Sequence, residues 1–220
     1  MARYKLSPST LNLFIECPRC FWLHINKGIK RPRGIFPSLP GGMDTAIKKY
    51  FDKYRVKGLL PPEIDGRVDG KLFDDIKILE KWRDWRSTDL CYEDKTLNAS
   101  LSGALDDCIV DNGYYVPLDY KTRGYELKAD PRTYYQNQLD CYCLILESKG
   151  YKTKGISYLI YYYPKEVREE GIVEFFVEPI MIETNIETAR ETFEKAVKVL
   201  NGSLSDSSSE CEYCNWERVK

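Results

Sequence analysis

Apolar residues recur at helical spacing in the first part of the chain and form shorter runs between turn residues further on. A spacing of three to four residues predicts helices over residues 7–16, 43–55 and 72–86. Alternating or continuous apolar runs predict strands over residues 97–110, 114–120, 156–163 and 172–177. Longer stretches with helical spacing predict helices over residues 131–149 and 182–200.

The order of these segments is a set of helices followed by strand, strand, helix, strand, strand and helix. This order predicts an α/β fold with a central mixed β-sheet flanked by helices, preceded by a helical N-terminal extension. No internal repeat or second core is visible, so a single domain is expected over residues 1–220. Its parts are a helical N-terminal part (1–96), a core (97–200) and a cysteine-bearing tail (201–220).

The composition is that of an ordinary globular protein, with 43% hydrophobic and 30% charged residues. The formal net charge of −1 gives no global basic field, so nucleic-acid contact would depend on basic patches at residues 27–33 and 121–128. Each patch could equally be a solvated surface loop. No apolar run of membrane-spanning length and no apolar signal core occurs, so we expect a cytoplasmic protein without membrane contact.

The eight cysteines fall into two groups. Cys91, Cys108, Cys141 and Cys143 lie in apolar or periodic segments and are expected to pack as small hydrophobic side chains. The other four form two Cys-x-x-Cys pairs, one near each end of the chain: Cys17, Cys20, Cys211 and Cys214. Without a secretory signal, four such thiols predict a structural metal centre that joins the two termini, either zinc or a four-iron cluster.

Two carboxylates and a lysine flank a predicted hairpin. Asp111-Asn112-Gly113 is a strong two-strand turn signal, and Asp106 and Asp119 lie at comparable distances from it. Asp119 and Lys121 are two residues apart and therefore project from the same strand face. Such a group can hold a hard divalent cation and assist phosphodiester hydrolysis. The alternative is a pair of strand-end acids that make surface salt bridges.

Three short motifs follow one another along the chain: Gly103-x-x-Asp106, Asp119-x-Lys121 and Gln138-x-x-x-Tyr142. In this order the chain resembles the PD-(D/E)XK nuclease superfamily, specifically the RecB-type nuclease domain. With the cysteine pairs it is similar to the iron–sulfur branch, which includes CRISPR-associated adaptation nucleases and AddB-type helicase–nucleases. The resemblance implies a restriction-endonuclease-like core.

The resemblance also implies roles for individual residues. Asp106, Asp119 and the carbonyl of Tyr120 would bind Mg²⁺ or Mn²⁺, and Lys121 would be the catalytic lysine. Gln138 and Tyr142, one helical turn apart, would face the site, although Tyr142 also fits a core stripe. The four paired cysteines, Cys17, Cys20, Cys211 and Cys214, would hold a [4Fe-4S] cluster, with structural Zn²⁺ as the alternative.

Two departures from the family pattern stand out. Many relatives carry a metal-binding histidine as Gly-x-x-x-His on an early helix, but here Gly42 is followed by Ala46 at that position. His24 lies elsewhere, Asp44 is expected on a different helix face, and Glu93 and Asp107 are conceivable substitutes. The iron–sulfur relatives usually supply one cysteine from the N-terminal side and three from the C-terminal side, whereas this chain supplies two and two.

The sequence therefore predicts a Mg²⁺- or Mn²⁺-dependent deoxyribonuclease that acts on single strands or ends, plausibly as an exonuclease. Tyr114, Tyr115, Tyr125 and Tyr134 could stack on unpaired bases, or could simply pack. One alternative is a nucleic-acid-binding module of the same fold that is weakly active or inactive. Another is an adaptor in a DNA repair or CRISPR adaptation assembly. The choice between DNA and RNA stays open.

Overall fold

The computed structural model describes residues 3–32, 34, 38–126 and 132–218. Its helices are α1 (Pro8–Glu16), α2 (Pro18–Lys27), α3 (Ser38–Arg55), α4 (Ile76–Arg83), α5 (Arg132–Ser148), α6 (Ile186–Asn201) and α7 (Glu212–Arg218). Its strands are β1 (Tyr4–Leu6), β2 (Lys71–Leu72), β3 (Cys91–Asp94), β4 (Ala99–Ser102), β5 (Asp107–Asp111), β6 (Tyr114–Thr122), β7 (Ile156–Val167) and β8 (Val173–Glu183). None of the helices in these ranges is long and apolar enough to cross a membrane.

Within the described ranges the strands form two sheets. The larger has the order β2-β5-β6-β7-β8, with β6 and β7 parallel and the other neighbours antiparallel. The smaller has the order β1-β4-β3. Helices flank the larger sheet on both sides, so the predicted α/β fold with a mixed sheet is confirmed.

Alternate residues of the central strands enter two different hydrophobic clusters. Leu159 and Tyr161 of β7 pack in the cluster that includes α5 and α6, whereas Ile160 packs in the cluster that includes α3. Strand residues alternate between faces, so this division shows a sheet covered on both sides. The site residues of β6 lie on the α5 face, since Leu118 and Tyr120 occupy the α3 face.

The N-terminal part is more than a helical extension. Its strands β1 and β3 pair with β4, and β2 joins the edge of the larger sheet. The predicted helix over residues 72–86 begins only at Ile76, where the Asp75 side chain accepts a hydrogen bond from the Ile78 amide and caps the helix.

The predicted strand over residues 97–110 is two strands in two sheets. β4 ends at Ser102, and β5 begins at Asp107. In the connection, the Gly103 amide donates to the Leu90 carbonyl (3.2 Å) and the Leu105 amide donates to the Trp82 carbonyl (2.9 Å). The first bond continues the pairing of β4 with β3, and the second turns the chain from the smaller sheet toward α4. Asp106 therefore lies just before a strand rather than in the middle of one.

The hairpin between β5 and β6 has the predicted turn. Asn112 and Gly113 both have left-handed backbone conformations, with φ of 49° and 83°, as a two-residue hairpin turn requires. Asp107 pairs with Leu118 across this hairpin. One residue further from the turn, the same register brings Asp106 opposite Asp119.

Candidate active site and cysteine centre

Asp106 is fixed by its backbone and only partly by its carboxylate. Its Oδ2 atom accepts a hydrogen bond from the Tyr120 amide (3.1 Å), and its carbonyl accepts one from Nε of Arg83 (2.8 Å). Its Oδ1 atom lies 2.7 Å from Nζ of Lys48. The Asp106 side chain is 22% exposed, so the carboxylate meets the solvent at the edge of the sheet.

Asp119 is almost completely buried, at 2% exposure. Its Oδ1 atom accepts a hydrogen bond from Nε2 of Gln138 (3.3 Å). Its Oδ2 atom forms an ion pair with Nζ of Lys121. Burial raises the pKa of Asp119 to about 6, and Asp106 adds to the rise while Lys121 opposes it. A buried carboxylate beside a second acid is a suitable ligand for a cation.

Lys121 stays protonated in this environment. Burial lowers its pKa, but the charges of Asp119 and Asp106 and the hydrogen bond to Asp119 together outweigh burial, so the net pKa is raised. Its Nζ atom also lies 4.6 Å from the centre of the Tyr135 ring, a cation–π contact. The ammonium group is thus held between a carboxylate and an aromatic face, ready to act as a fixed positive charge.

The structure brings Gln138 and Tyr142 to the same site. Gln138 Nε2 donates to the Tyr142 hydroxyl (2.6 Å) as well as to Asp119. Tyr142 is buried, and its ring packs against Gly103, where a Cβ atom would lie 3.1 Å from a ring carbon. The glycine of the first motif therefore makes room for the tyrosine of the third. Tyr142 is both a core residue and part of the site.

One site residue escaped the sequence analysis. Lys48 of α3 reaches Asp106, and its Nζ atom also bonds Oδ2 of Asp44 (2.8 Å). Asp44 thus joins the site through Lys48. The signal was present as an i,i+4 pair of opposite charges on one helix face. Ala46 offers no ligand atom, and His24 lies in α2.

The two conceivable substitute ligands have other surroundings. Asp107 is completely buried, and its Oδ2 atom contacts Arg55 (2.6 Å), Arg83 (3.1 Å) and the Tyr120 hydroxyl (2.7 Å). This network lies on the α3 face of the sheet and leaves Asp107 committed to arginines. Glu93 lies exposed in the smaller sheet.

The paired cysteines form one cluster, as predicted. Their sulfur atoms all lie within 4.8 Å of one another, with 3.6 Å from Cys20 to both Cys211 and Cys214 and 3.8 Å from Cys17 to Cys214. Burial raises the pKa of Cys17, but hydrogen bonds from the Cys20 and Ser208 backbone and from neighbouring thiols together lower it to about 6, whereas burial raises the pKa of Cys20 and Cys214. Without a metal, Cys17 is therefore the thiolate of the cluster, and a bound cation would favour the charged form of the others.

The remaining cysteines pack in the core, as predicted. Cys91, Cys108, Cys141 and Cys143 are all buried. Cys143, for example, contacts the hydroxyls of Ser157 (3.6 Å) and Thr184 (3.2 Å). Such thiols behave as small hydrophobic groups with a weak donor.

The four tyrosines considered for base stacking differ in packing, position and exposure. Tyr115 packs against Tyr151 with ring centres 4.8 Å apart and against Phe73 at 5.8 Å, as the packing alternative describes. Tyr114 adjoins the hairpin turn, at the other end of β6 from Asp119. Tyr125 and Tyr134 are 64% and 61% exposed and lie on the chain segments that flank the site. Of the basic patches, Arg33 and Lys128 lie outside the described residues.

Comparison with known families fits this geometry. The family model for the PD-(D/E)XK nuclease superfamily matches residues 63–219, more than two thirds of the chain. The protein therefore belongs to the PD-(D/E)XK nuclease superfamily. The matched range contains all of β5, β6 and α5, which carry Asp119, Lys121 and Gln138.

Other comparisons add less. A crystal structure of a protein from Eubacterium rectale, provisionally described as an exonuclease, superposes with a TM-score of 0.49 and 16% sequence identity. The match covers 98% of this chain and 89% of that one. A search of curated proteins gives no match.

Proposed function

We propose that this protein is a divalent-metal-dependent nuclease that hydrolyses phosphodiester bonds in DNA, at single strands or ends. The observation that carries the proposal is the pair of carboxylates that the hairpin register brings together, Asp119 buried and Asp106 partly exposed, with Lys121 beside Asp119. Two carboxylates so placed offer the oxygen ligands that a hard divalent cation prefers. Nucleases of this superfamily use divalent metal ions, so membership of the superfamily supports a cation at this position.

Asp106, Asp119 and the Tyr120 carbonyl would hold the ion, and oxygen ligands of this kind suit Mg²⁺ or Mn²⁺. When bound, such an ion polarises the phosphoryl group. Ala46 supplies no further ligand, but Mg²⁺ commonly keeps several waters and needs few protein ligands. The missing histidine is therefore compatible with an active site.

The chain's own groups have distinct tasks. Lys121 places a fixed ammonium beside Asp119, where it orients the attacking water and offsets negative charge that develops on the phosphate. Gln138 donates to Asp119 and fixes the direction of its carboxylate. Tyr142 acts through Gln138 as a positioning residue, because its hydroxyl accepts from the same amide.

The rim of the site favours unpaired nucleic acid. Tyr125 and Tyr134 expose their rings on the chain segments next to Lys121 and Gln138, and Arg123 lies 5.9 Å from the Tyr125 ring. Exposed aromatic faces next to a guanidinium can stack on bases and attract the backbone. We therefore favour single strands or ends over a specific duplex sequence.

The cysteine centre has a structural task. Helices α1 and α2 supply one pair around their junction, and the tail beyond α6 supplies the other, so a bound metal closes a loop of almost the whole chain. Sulfur atoms bound to one tetrahedral zinc at 2.3 Å lie roughly 3.8 Å apart. The observed separations of 3.6–3.8 Å favour a single ion.

The alternative that the four paired cysteines hold a four-iron cluster is supported by the resemblance alone. A four-iron cluster places a larger core between its thiolates and would require the sulfur atoms to move apart. The association with a DNA repair or CRISPR adaptation complex rests on the same resemblance. Neither is needed for the nuclease proposal.

Cleavage of end-labelled oligonucleotides tests the proposed reaction. Single-stranded DNA, duplex DNA and RNA of one sequence are incubated with Mn²⁺, with Mg²⁺ and with a chelator, beside an Asp119→Asn control. We expect metal-dependent cleavage of single-stranded DNA by the natural chain and none by the control. Binding without cleavage would instead support the inactive binding module, and neither would support the adaptor.

A matched pair of cysteine variants tests the metal centre. Cys211→Ser should release the metal and lower the melting temperature sharply, because the tail is then tied down by fewer ligands. Cys143→Ser should keep the metal and cost on the order of 1 kcal/mol. Metal analysis and visible absorbance of the anaerobically purified protein distinguish zinc, which is colourless, from iron–sulfur. Equal metal content in both variants would show that the pairs share no centre.

A further inference from the structure

We propose that Lys48 is a second catalytic lysine of this site: it neutralises Asp106 before the metal binds and contacts the substrate phosphate afterwards. The inference rests on the proposed nuclease function and deepens it. It concerns a residue of α3, a helix that precedes the matched family region and from which the sequence predicted no working site residue.

The position of Lys48 carries the argument. Its Nζ atom lies 2.7 Å from Oδ1 of Asp106 and 2.8 Å from Oδ2 of Asp44. The side chain is only 20% exposed. A largely buried ammonium therefore contacts the carboxylate on which a divalent cation would depend.

Asp44 explains why Lys48 would stay at the site. A metal ion that binds Asp106 competes with Lys48 for the same oxygen. The i,i+4 pair with Asp44 is internal to α3 and survives that competition. Lys48 then keeps one partner and remains beside the metal with its remaining N–H donors free to turn toward a phosphate oxygen.

The charge balance gives this ammonium its use. Among the described residues, three carboxylates (Asp44, Asp106 and Asp119) meet two ammonium groups (Lys48 and Lys121). When ionised, this set is negative by one charge, which repels a phosphodiester. A divalent cation makes it positive by one charge, but without Lys48 the loaded site would be only neutral. Lys48 thus turns metal binding into attraction for an anionic substrate.

The two lysines reach the site from different elements. Lys121 belongs to β6 and pairs with Asp119, whereas Lys48 belongs to α3 and pairs with Asp106. Each metal-binding carboxylate therefore has its own ammonium group. This division predicts separable effects on metal affinity and on turnover.

Lys48→Met tests the inference, because methionine keeps the length and removes the charge. Titration calorimetry with Mn²⁺ alone should show about tenfold tighter binding, since a competing cation is lost. Cleavage at saturating Mn²⁺ should show kcat lower by about 100-fold, the usual effect of removing one charge-stabilising group. Lys48→Arg should retain much of the activity. The neighbouring exposed Lys49→Met is the control and should match the natural chain in both measurements.

The outcomes separate this inference from the function on which it rests. If the natural chain does not cleave, the proposed function fails and the inference fails with it. If the natural chain cleaves and Lys48→Met matches it in turnover and Mn²⁺ affinity, the inference alone is overturned. Weaker Mn²⁺ binding by both Lys48→Met and Asp44→Asn would also overturn it, because Asp44 would then be a metal ligand that Lys48 supports.

Discussion

Asp106 and Asp107 are neighbours in the sequence, yet they serve opposite purposes. The Asp107 carboxylate is completely buried and satisfied by two arginines, a tyrosine hydroxyl and the Cys108 amide. The Asp106 carboxylate is partly exposed and held by one amide and one lysine that a metal can displace. A fully satisfied carboxylate stabilises a fold, whereas an incompletely satisfied one is available for chemistry.

The two regions are connected through Arg83. Its Nε atom donates to the Asp106 carbonyl, and its Nη2 atom contacts the Asp107 carboxylate. Arg55, on the same helix as Lys48, completes the network from the α3 side. The buried network therefore fixes the backbone that presents Asp106, so the stable region positions the reactive one.

The largest expected effect is on catalysis at the reactive region. Lys121→Met should lower the rate of metal-dependent cleavage by roughly 1,000-fold, because a fixed charge at the phosphate is lost. Substrate affinity should change much less, since the charge acts mainly in the transition state. Single-turnover kinetics and fluorescence anisotropy of labelled single-stranded DNA measure the two quantities. Full activity of the purified variant would remove Lys121 from the mechanism.

Replacement of each of the two aspartates by asparagine, one at a time, should give opposite results. Asp107→Asn should lower the free energy of unfolding by about 3–5 kcal/mol, because it leaves Arg55 and Arg83 with only the partly exposed Asp52 as a compensating carboxylate. Asp106→Asn should abolish cleavage and Mn²⁺ binding with a much smaller loss of stability. Urea unfolding and calorimetric titration of both variants check this. Similar stability losses would mean that the two carboxylates do not differ as the contacts indicate.

A smaller effect is expected where the core supports the site. Gly103→Ala places a methyl group 3.1 Å from the Tyr142 ring and should displace Tyr142 and its partner Gln138. We expect cleavage to fall by about tenfold, with stability lowered by roughly 1–3 kcal/mol through overpacking. Gly124→Ala is the matched control, since an added Cβ there meets no described atom within 4 Å. Equal activities of the two variants would contradict a supporting role for Gly103.

The smallest effect concerns the acid stability of the buried network. Burial raises the pKa of Asp52, but hydrogen bonds and the charge of Arg83 outweigh it and lower the net pKa. A lowered pKa stabilises the fold above the ordinary value of about 3.9, and this stability is lost as the pH falls below it. Because Asp52 is partly exposed, Asp52→Asn should cost only about 1 kcal/mol at neutral pH. Melting curves from pH 7 to pH 3 should converge for the two chains; a constant gap would contradict the ionic origin.

The sequence alone determined the features that depend on short separations. The Asn112-Gly113 turn set the hairpin register, and with it the opposition of Asp106 and Asp119. The period of two placed Asp119 and Lys121 on one face, and the Cys-x-x-Cys spacing identified the thiols of the metal centre. These features follow from local backbone geometry, which neighbouring residues decide.

Only the tertiary structure decided which acid is left partly exposed at the site and which one is buried among arginines. Asp106 ends a connection, and Asp107 begins β5, and the path of this connection depends on the pairing of β4 with β3 and with the distant β1. Lys48 became a site residue because α3 packs against β6, a contact between segments some seventy residues apart. Local propensity carries no information about such pairings, because their energy comes from burial and charge contacts formed only when the chain is folded.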